Sequence, residues 1–286
     1  MARLALAGVL CGGTTLLRAH GDLEIQIAEV SRQLVAAPSA ALFLKRGELQ
    51  HEHEDYAQAL ADYDRAVELD PSLDAVGLNR GRTLFKLARF EEARQVLDTY
   101  LVRKPGHAAG FLLRARVRAA IGDNAGAVAD FDRNIALAPE PLPECFLERA
   151  EAFAALGDRA AAVRSLDEGI ERLGNLVTLQ MAAIDLEVAL NRTDSALARL
   201  DRLRAGLPRQ ETWLVRRGEV LEAAGRRDEA LREYDQAFAV LEQLSPRHRN
   251  VKPMRDLEAR LRRILAPSIS PSASPTHQPT SNRKSK

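Results

Sequence analysis

The sequence is poor in the patterns that β-structure, nucleic-acid binding and most catalysis require. Aromatic residues make up only 5% of the 286 residues, and no run alternates Val, Ile or Thr with polar residues as a half-buried strand would. No phosphate-binding loop and no dinucleotide fingerprint is present. The net charge is +1 and no basic patch is interleaved with aromatic residues, so nucleic acid is not an expected partner.

Cysteine is also scarce, which excludes a disulfide scaffold. Cys11 lies in an N-terminal segment that has the pattern of a removable leader, and its removal would leave Cys145 as the only thiol. Cys145 stands beside Phe146 with no base nearby in the sequence, so we expect it to be a small core residue and not a reactive thiol.

What the chain does contain is helix-forming residues in a repeating pattern. Ala, Leu and Arg dominate, and one alanine recurs at intervals of 34, 34, 35, 34 and 34 residues. The alanines are Ala59, Ala93, Ala127, Ala162, Ala196 and Ala230. An aspartate follows each of them five residues later, at Asp64, Asp98, Asp132, Asp167, Asp201 and Asp235. A fixed period of this length predicts an all-α solenoid, in which each unit buries its apolar face against its neighbours.

Each unit is predicted to contain two helices that touch at small residues. The alanines above form one small-residue column, in the second helix. The other, in the first helix, consists of Gly47, Gly81, Ala115, Ala150 and Gly218. Glycines at 122, 157 and 225 stand between the two helices of their units, where a left-handed cap conformation is expected.

With these columns the chain resembles the tetratricopeptide repeat family. The resemblance covers six units, at residues 40–73, 74–107, 108–141, 143–176, 177–210 and 211–244. It implies antiparallel helix pairs stacked into a right-handed superhelix, with a concave groove lined mainly by the first helix of each pair. The fifth unit departs from the pattern because Ile184 occupies the small-residue column, and we expect a slightly shifted packing register there.

The segments outside the repeats have separate roles. Residues 1–21 have the pattern of a signal peptide, with Arg3 before an apolar run and small residues at Ala19 and Gly21; the alternative is a cap helix that stays attached. Cleavage near Gly21 would make the protein periplasmic or extracellular, with no membrane span in the mature chain; otherwise it is cytoplasmic. Residues 22–39 are predicted to form an N-terminal cap helix, 245–266 a C-terminal solvating helix and 267–286 a disordered tail rich in Pro and Ser.

A charged column runs beside the small residues. It consists of Arg46, Arg80, Arg114, Arg149 and Arg217. Arginines and aspartates that recur at fixed places in the repeats predict a ladder of ion pairs along the stack. The alternative is an electrostatic strip that binds a ligand, but a binding site needs asymmetry between the units.

The candidate binding site lies in a more variable column, which by the family resemblance faces the groove. It is basic at Arg82 and Arg116 and acidic in the other units. The predicted groove residues are Leu78, Arg82, Phe85, Lys86, Leu112 and Arg116. They would form a basic, partly apolar patch suited to an acidic peptide or a peptide C-terminus. The alternative is that Arg82 and Arg116 pair with Glu48 and Glu151 on adjacent helices.

No enzyme signature accompanies the repeats. Adjacent helical residues point in different directions, so His51 and His53 cannot readily share a metal ion. We therefore expect no catalytic residues, no metal and no cofactor. The predicted function is that of a protein-interaction scaffold that binds a peptide or protein; the alternative is an intracellular adaptor or a regulatory subunit of a separate enzyme.

Overall fold

The computed structural model describes residues 10–205 and 209–266, with side chains from residue 21 onward. Within these ranges the regular structure is entirely α-helical, and the chain divides into two compact units, up to Leu186 and from Glu187 onward. The predicted disordered tail and the first nine residues of the predicted leader lie outside the described residues.

The first unit contains a long N-terminal helix followed by helix pairs. Its helices are α1 (Leu10–Ala36), α2 (Ala40–Glu52), α3 (Tyr56–Leu69), α4 (Ala75–Lys86), α5 (Phe90–Arg103), α6 (Ala108–Ala120), α7 (Asn124–Leu137), α8 (Pro143–Ala155) and α9 (Arg159–Leu173). The helices α2/α3, α4/α5, α6/α7 and α8/α9 form the first four pairs, and each pair packs on the next.

The second unit continues the same alternation. Helix α10 (Val177–Ala189) spans the boundary between the units. It is followed by α11 (Thr193–Ala205), α12 (Glu211–Ala223), α13 (Arg227–Glu242), α14 (Pro246–Arg249) and α15 (Lys252–Leu265). The last helix packs against α13, and the segment predicted as one solvating helix, residues 245–266, contains the two helices α14 and α15.

The small-residue columns allow the paired helices to approach closely. A β-carbon at Gly47 would lie 2.5 Å from Cε1 of Tyr63, and one at Gly81 would lie 2.8 Å from Cδ2 of Leu97. The alanine column is almost fully buried, with Ala59 and its counterparts at 0–1% exposure. Both columns therefore act as the contact surface between the helices of a pair, as the sequence predicts.

The turn between paired helices has a left-handed residue in all six units. Gly122, Gly157 and Gly225 have φ values of 84°, 84° and 75°. The equivalent residues in the other three units are not glycine, and Glu54, Ala88 and Asn191 have φ values of 69°, 55° and 57°. The three glycines thus have the predicted cap conformation, and the remaining units adopt it at a steric cost.

The fifth pair has a reversed arrangement of charge. In pairs one, three and six an acid on the second helix meets an arginine on the first, as with Asp62 and Arg46. In pair five the acid is on the first helix, and Glu187 forms a 2.9 Å ion pair with Arg199 on α11. Both Ala183 and Ile184 are fully buried. The shifted register expected from Ile184 stays a prediction.

The arginine column forms the predicted ladder, defined here as the ion pairs Arg80–Asp64, Arg114–Asp98, Arg149–Asp132 and Arg217–Asp201. Each arginine contacts the repeating aspartate of the preceding helix pair, at 3.2, 2.8, 2.7 and 2.6 Å in that order. The ladder therefore joins consecutive pairs and does not lie within one pair.

The N-terminal helix α1 runs through the predicted cleavage site. It begins at Leu10 in the described part of the chain and includes the cap helix predicted from residue 22. Val30 and Leu34 are buried together with Leu49 of the first pair, and the cap role stays a prediction. Among the described helices, none combines the length and the hydrophobicity that crossing a bilayer requires. The leader itself stays a prediction.

Candidate partner-binding groove

The candidate groove is the face of the first unit formed by α2, α4, α6 and α8. These first helices contact one another from pair to pair. No comparable contact links α3 with α5 or α5 with α7 in the described residues. Helices that approach on one side of a stack and diverge on the other define its inner side. The first helices therefore line the inner face, as the family resemblance implies.

Two cationic side chains on this face form no ion pair within the described residues. Arg82 and Lys86 lie one turn apart on α4, and both are exposed. Neither has an ion-pair or hydrogen-bond partner among the residues described, in contrast to the ladder arginines. Glu48, the alternative partner for Arg82, instead accepts a hydrogen bond from Nδ2 of Asn79 at 2.7 Å. The pairing of Arg82 with Glu48 is therefore absent.

Arg116 has a different environment from that of Arg82. Its Nε and Nη2 each donate a hydrogen bond of 2.8 Å to the carboxylate of Glu148 on α8. These hydrogen bonds raise the pKa of Arg116 above its usual value. The partner is Glu148 and not Glu151, one turn further along α8. Glu151 is exposed and has no partner within the described part of the chain, so an acid, and not a base, is available at this end of the groove.

The three apolar residues predicted for the groove are only partly available. Leu78 packs between the clusters around Leu97 and Tyr100, and Leu112 packs against Phe131 and Phe146, so both contribute to the core. Phe85 is half-buried and its ring lies 5.5 Å from that of Phe90. Of the three, Phe85 presents the most direct apolar surface to the groove, because it also lines a hollow.

The hollow is lined mainly by the first helices of pairs two, three and four, together with Asn124 and Phe131 of α7, and has a volume of about 440 Å³. Its apolar wall is formed by Phe85, Ala119, Ala152 and Ala155. The Arg116–Glu148 pair and Glu151 contribute its polar wall. A hollow of this size is within the range of ligand sites in proteins and can accept one side chain of a partner.

His51 is a groove residue that the sequence analysis did not include. Burial, followed by the positive charges of Arg82 and Lys86, lowers its pKa below the usual 6.5. Its Nδ1 lies 2.7 Å from Oγ1 of Thr83, whose hydroxyl donates to the carbonyl of Asn79. Nδ1–H of His51 is therefore the donor to Thr83. The sequence could have identified His51 as a groove residue, because it lies 34 residues before Phe85, at the equivalent position of the repeat.

The cysteine and the two histidines considered in the sequence analysis do not form a reactive or metal-binding site in the described residues. Cys145 is buried, and burial raises the pKa of its thiol, in agreement with the predicted core role. His53 lies 2.9 Å from Asp55 and 3.8 Å from Glu24, while His51 contacts Thr83. No cluster of three or more potential metal ligands is present in the part of the chain that the structure describes.

Comparison with known proteins gives the family. Two family models described as tetratricopeptide repeat match residues 50–117 and 181–246. A curated relative, the protein SGT1 homolog of Oryza sativa subsp. japonica, is 28% identical over 78 residues. That match covers 27% of this chain and spans only 21% of the length of the relative.

Solved structures extend the similarity over most of the chain. The C-terminal part of a TPR repeat-containing protein from Cytophaga hutchinsonii is 16% identical, with a TM-score of 0.65, and the match covers 85% of this chain and 97% of that one. A tetratricopeptide repeat protein from Parabacteroides merdae ATCC 43184 is 17% identical, with a TM-score of 0.53, and the match covers 87% and 96%. At these identities the similarity establishes the fold. Together with the two family matches, it shows that the chain is a tetratricopeptide repeat protein.

Proposed function

We propose that the protein is a non-catalytic scaffold whose inner face in the first unit binds an extended segment of a partner protein. The tetratricopeptide fold supports a role in protein interaction. In this proposal an acidic residue of the partner binds Arg82 and Lys86, a small apolar side chain occupies the hollow beside Phe85, and a basic residue faces Glu151.

The observation that carries the proposal is the unpaired state of Arg82 and Lys86. Most charged side chains on neighbouring helices are neutralised, as Arg116 is by Glu148. Two adjacent exposed cations without a partner in the described structure repel each other and cost stability, because like charges at this spacing are unfavourable. A partner carboxylate would remove that repulsion and form charge-assisted hydrogen bonds.

The spacing of the charges sets the length of the bound segment. Arg82 is on α4 and Glu151 is on α8, two interhelical spacings apart. Packed helices lie about 8–10 Å apart, so the charges are separated by roughly 16–20 Å. An extended chain advances about 3.3 Å per residue, so the acidic and basic residues of the partner are expected about five or six positions apart.

Selection from a random octapeptide library tests this directly. We expect enrichment of peptides with an acidic residue about five or six positions from a basic residue. Affinity of a selected peptide, measured by fluorescence polarisation, should fall about tenfold or more in the double variant Arg82→Glu/Lys86→Glu, since two charge-assisted contacts are reversed. Enrichment without this charge pattern, or equal affinity for the variant, would contradict the proposal.

A control variant with the same change in net charge separates recognition by the groove from a general effect of net charge. Arg65 and Arg164 are exposed on the second helices α3 and α9, at 66% and 69% side-chain exposure. The variant Arg65→Glu/Arg164→Glu changes the net charge by the same amount as Arg82→Glu/Lys86→Glu. We expect it to retain peptide affinity, with far-UV circular dichroism unchanged in both variants.

We also propose that the protein is exported, on the basis of the leader pattern at residues 1–21. The mass of the protein purified from its native source tests this, because cleavage near Gly21 gives a chain that begins at Asp22. An intact N-terminus together with a cytoplasmic location would favour the alternative, an intracellular adaptor or a regulatory subunit of a separate enzyme.

A further inference from the structure

A second hollow lies on the other side of the stack, between the second helices of pairs one and two. Its volume is about 250 Å³. Val67 on α3, Val76 on α4 and Val96 and Tyr100 on α5 form its apolar lining, and Arg80 contributes a guanidinium group. These residues do not belong to the inner-face groove.

The hollow lies where the second helix of pair two lacks an acidic residue that the second helices of pairs one and three have. Arg114 in pair three binds Asp130 on its own second helix, and Arg46 in pair one binds Asp62 in the same way. The equivalent position in pair two is Val96. Arg80 is left with one ion pair in the described structure, to Asp64 at 3.2 Å. Its Nε is buried and has no hydrogen-bond partner among the described residues. A buried N–H of a charged group without an acceptor is unfavourable, because its desolvation is not compensated.

Pair two also lacks an aromatic side chain next to this arginine. The guanidinium groups of Arg46, Arg114 and Arg149 lie 5.5–5.6 Å from the rings of phenylalanines three residues earlier, Phe43, Phe111 and Phe146. The equivalent position before Arg80 is Gly77. Tyr100 takes part of the vacated space, since a β-carbon at Gly77 would lie 3.1 Å from Cδ2 of Tyr100. The remaining space is the hollow, with both the acid and the ring missing.

We propose that this hollow binds a small monocarboxylate with a compact hydrocarbon body. Its carboxylate takes the place that Asp130 has in pair three and accepts from Nε–H of Arg80. Its hydrocarbon part packs on Val67, Val76 and Val96. The volume is below the 300–1,000 Å³ that is typical of sites for drug-sized ligands, which restricts the ligand to a small molecule.

The charges around the hollow favour an anion. Arg103 lines it, is half-exposed, and donates to the carbonyl of Pro71 at 2.9 Å. Asp74 at the rim is neutralised by Lys104 at 2.9 Å. Arg80, Arg103 and Lys104 together exceed Asp64 and Asp74 by one positive charge. A carboxylate therefore enters a region that is positive before binding and near neutral afterwards.

Benzoate and its uncharged analogue benzamide are suitable probes, with binding to the full chain measured by calorimetry and by NMR shifts of residues around Val96. We expect benzoate to bind and benzamide to bind about tenfold more weakly or worse, since it lacks the charge-assisted contact. The variant Val96→Asp supplies the missing acid within the chain, and the variant Arg80→Gln removes the donor. Both should weaken benzoate binding about tenfold or more.

The controls separate this site from the groove. Val96→Asp should remain folded, because Asp62 and Asp130 occupy the equivalent position in other pairs, and its thermal melt verifies this. Arg80→Gln provides an independent test if Val96→Asp unfolds. Benzoate binding should be unchanged in Arg82→Glu/Lys86→Glu. Binding that is lost in that groove variant but retained in Val96→Asp or Arg80→Gln, or no binding of benzoate at all, would overturn the proposal without affecting the proposed peptide groove.

Discussion

Arg114 donates to both carboxylate oxygens of Asp130, from Nε at 2.8 Å and from Nη2 at 2.7 Å, and its third nitrogen donates to Asp98 at 2.8 Å. Asp130 belongs to the same helix pair as Arg114, whereas Asp98 belongs to the preceding pair. One side chain therefore holds its own pair together and fixes the position of that pair on its neighbour.

The two acids should differ in their contribution to stability. Asp130 is 3% exposed, and its removal leaves the largely buried guanidinium groups of Arg114 and Arg118, which are 14% and 20% exposed, to share Asp98 where they had two acids. Asp130→Ala should therefore destabilise the protein by about 3–5 kcal/mol. Asp98 is 35% exposed, so Asp98→Ala should cost only about 1 kcal/mol. Urea unfolding followed by circular dichroism measures both, and equal effects would show that burial does not determine the contribution of each ion pair.

The left-handed turn residues provide a route to greater stability. Ala88 has φ of 55° at a position where three other units have glycine. Ala88→Gly removes a steric cost of about 1–2 kcal/mol and adds an entropic cost of about 0.5–1 kcal/mol, so a net gain of about 0.5–1 kcal/mol is expected.

Two substitutions act as controls for this gain. Asn191→Gly should have a smaller effect, since asparagine adopts this conformation more readily than alanine. Gly122→Ala should destabilise the protein by about 1 kcal/mol. Thermal melts of the three variants measure the order of their stabilities. A loss of stability in Ala88→Gly would show that its turn is not strained.

The small-residue column predicts that the effects of two substitutions on stability are coupled. A β-carbon at Gly47 would lie 2.5 Å from the ring of Tyr63, so Gly47→Ala should cost about 1–3 kcal/mol through overpacking. In pair four, Ala150 is instead matched with Leu166, and both are buried. The double variant Gly47→Ala/Tyr63→Leu reproduces that combination and should be more stable than the sum of the single changes predicts.

A double-mutant cycle measured by chemical unfolding gives the coupling free energy of this pair. Additive effects of the two changes would mean that the ring of Tyr63 moves aside without cost. The substitution Gly81→Ala is a useful comparison, because its neighbour Leu97 is aliphatic and not a rigid ring, and the nearest approach is longer, at 2.8 Å. We expect Gly81→Ala to be the milder change.

The sequence predicted those features that repeat and missed those that depend on one unit. Arg114 and Asp98 belong to columns with a fixed period, so an ion-pair ladder was predictable from spacing alone. The second partner, Asp130, was not predicted because the equivalent position varies and is Val96 in pair two. Periodicity therefore gives the fold and the contacts between pairs, but not the exceptions that create a hollow.

Prediction from the sequence has the same limit in the groove, where it could not distinguish residues one helical turn apart. Arg82, Lys86 and Phe85 lie on the face that the resemblance implies, yet spacing could not show which charges are neutralised. Arg116 pairs with Glu148, three residues from the predicted Glu151. Ion pairing depends on side-chain reach and on the offset of adjacent helices, and both require coordinates.

His51 reports the electrostatic state of the groove. Its pKa lies below 6.5 because of burial and the nearby charges of Arg82 and Lys86. The unfolded chain therefore binds more protons than the folded chain between the folded pKa and 6.5, so stability should fall as the pH decreases through that window. The substitution His51→Gln should reduce this loss between pH 7 and pH 5, as measured by thermal melts.

The same residue should detect an acidic partner. Removing one positive neighbour with Arg82→Gln should raise the pKa of His51, and a bound acidic peptide should raise it further by neutralising both cations. The pKa is measured by NMR titration of the His51 Cε1 proton, assigned from its absence in His51→Gln. Lys45→Gln serves as a control, because Lys45 is also an exposed cation but does not contribute to the His51 shift. If the pKa of His51 does not rise in Arg82→Gln, the cation is too distant or too well solvated to act on this face, and the charge-based account of partner recognition loses its electrostatic basis.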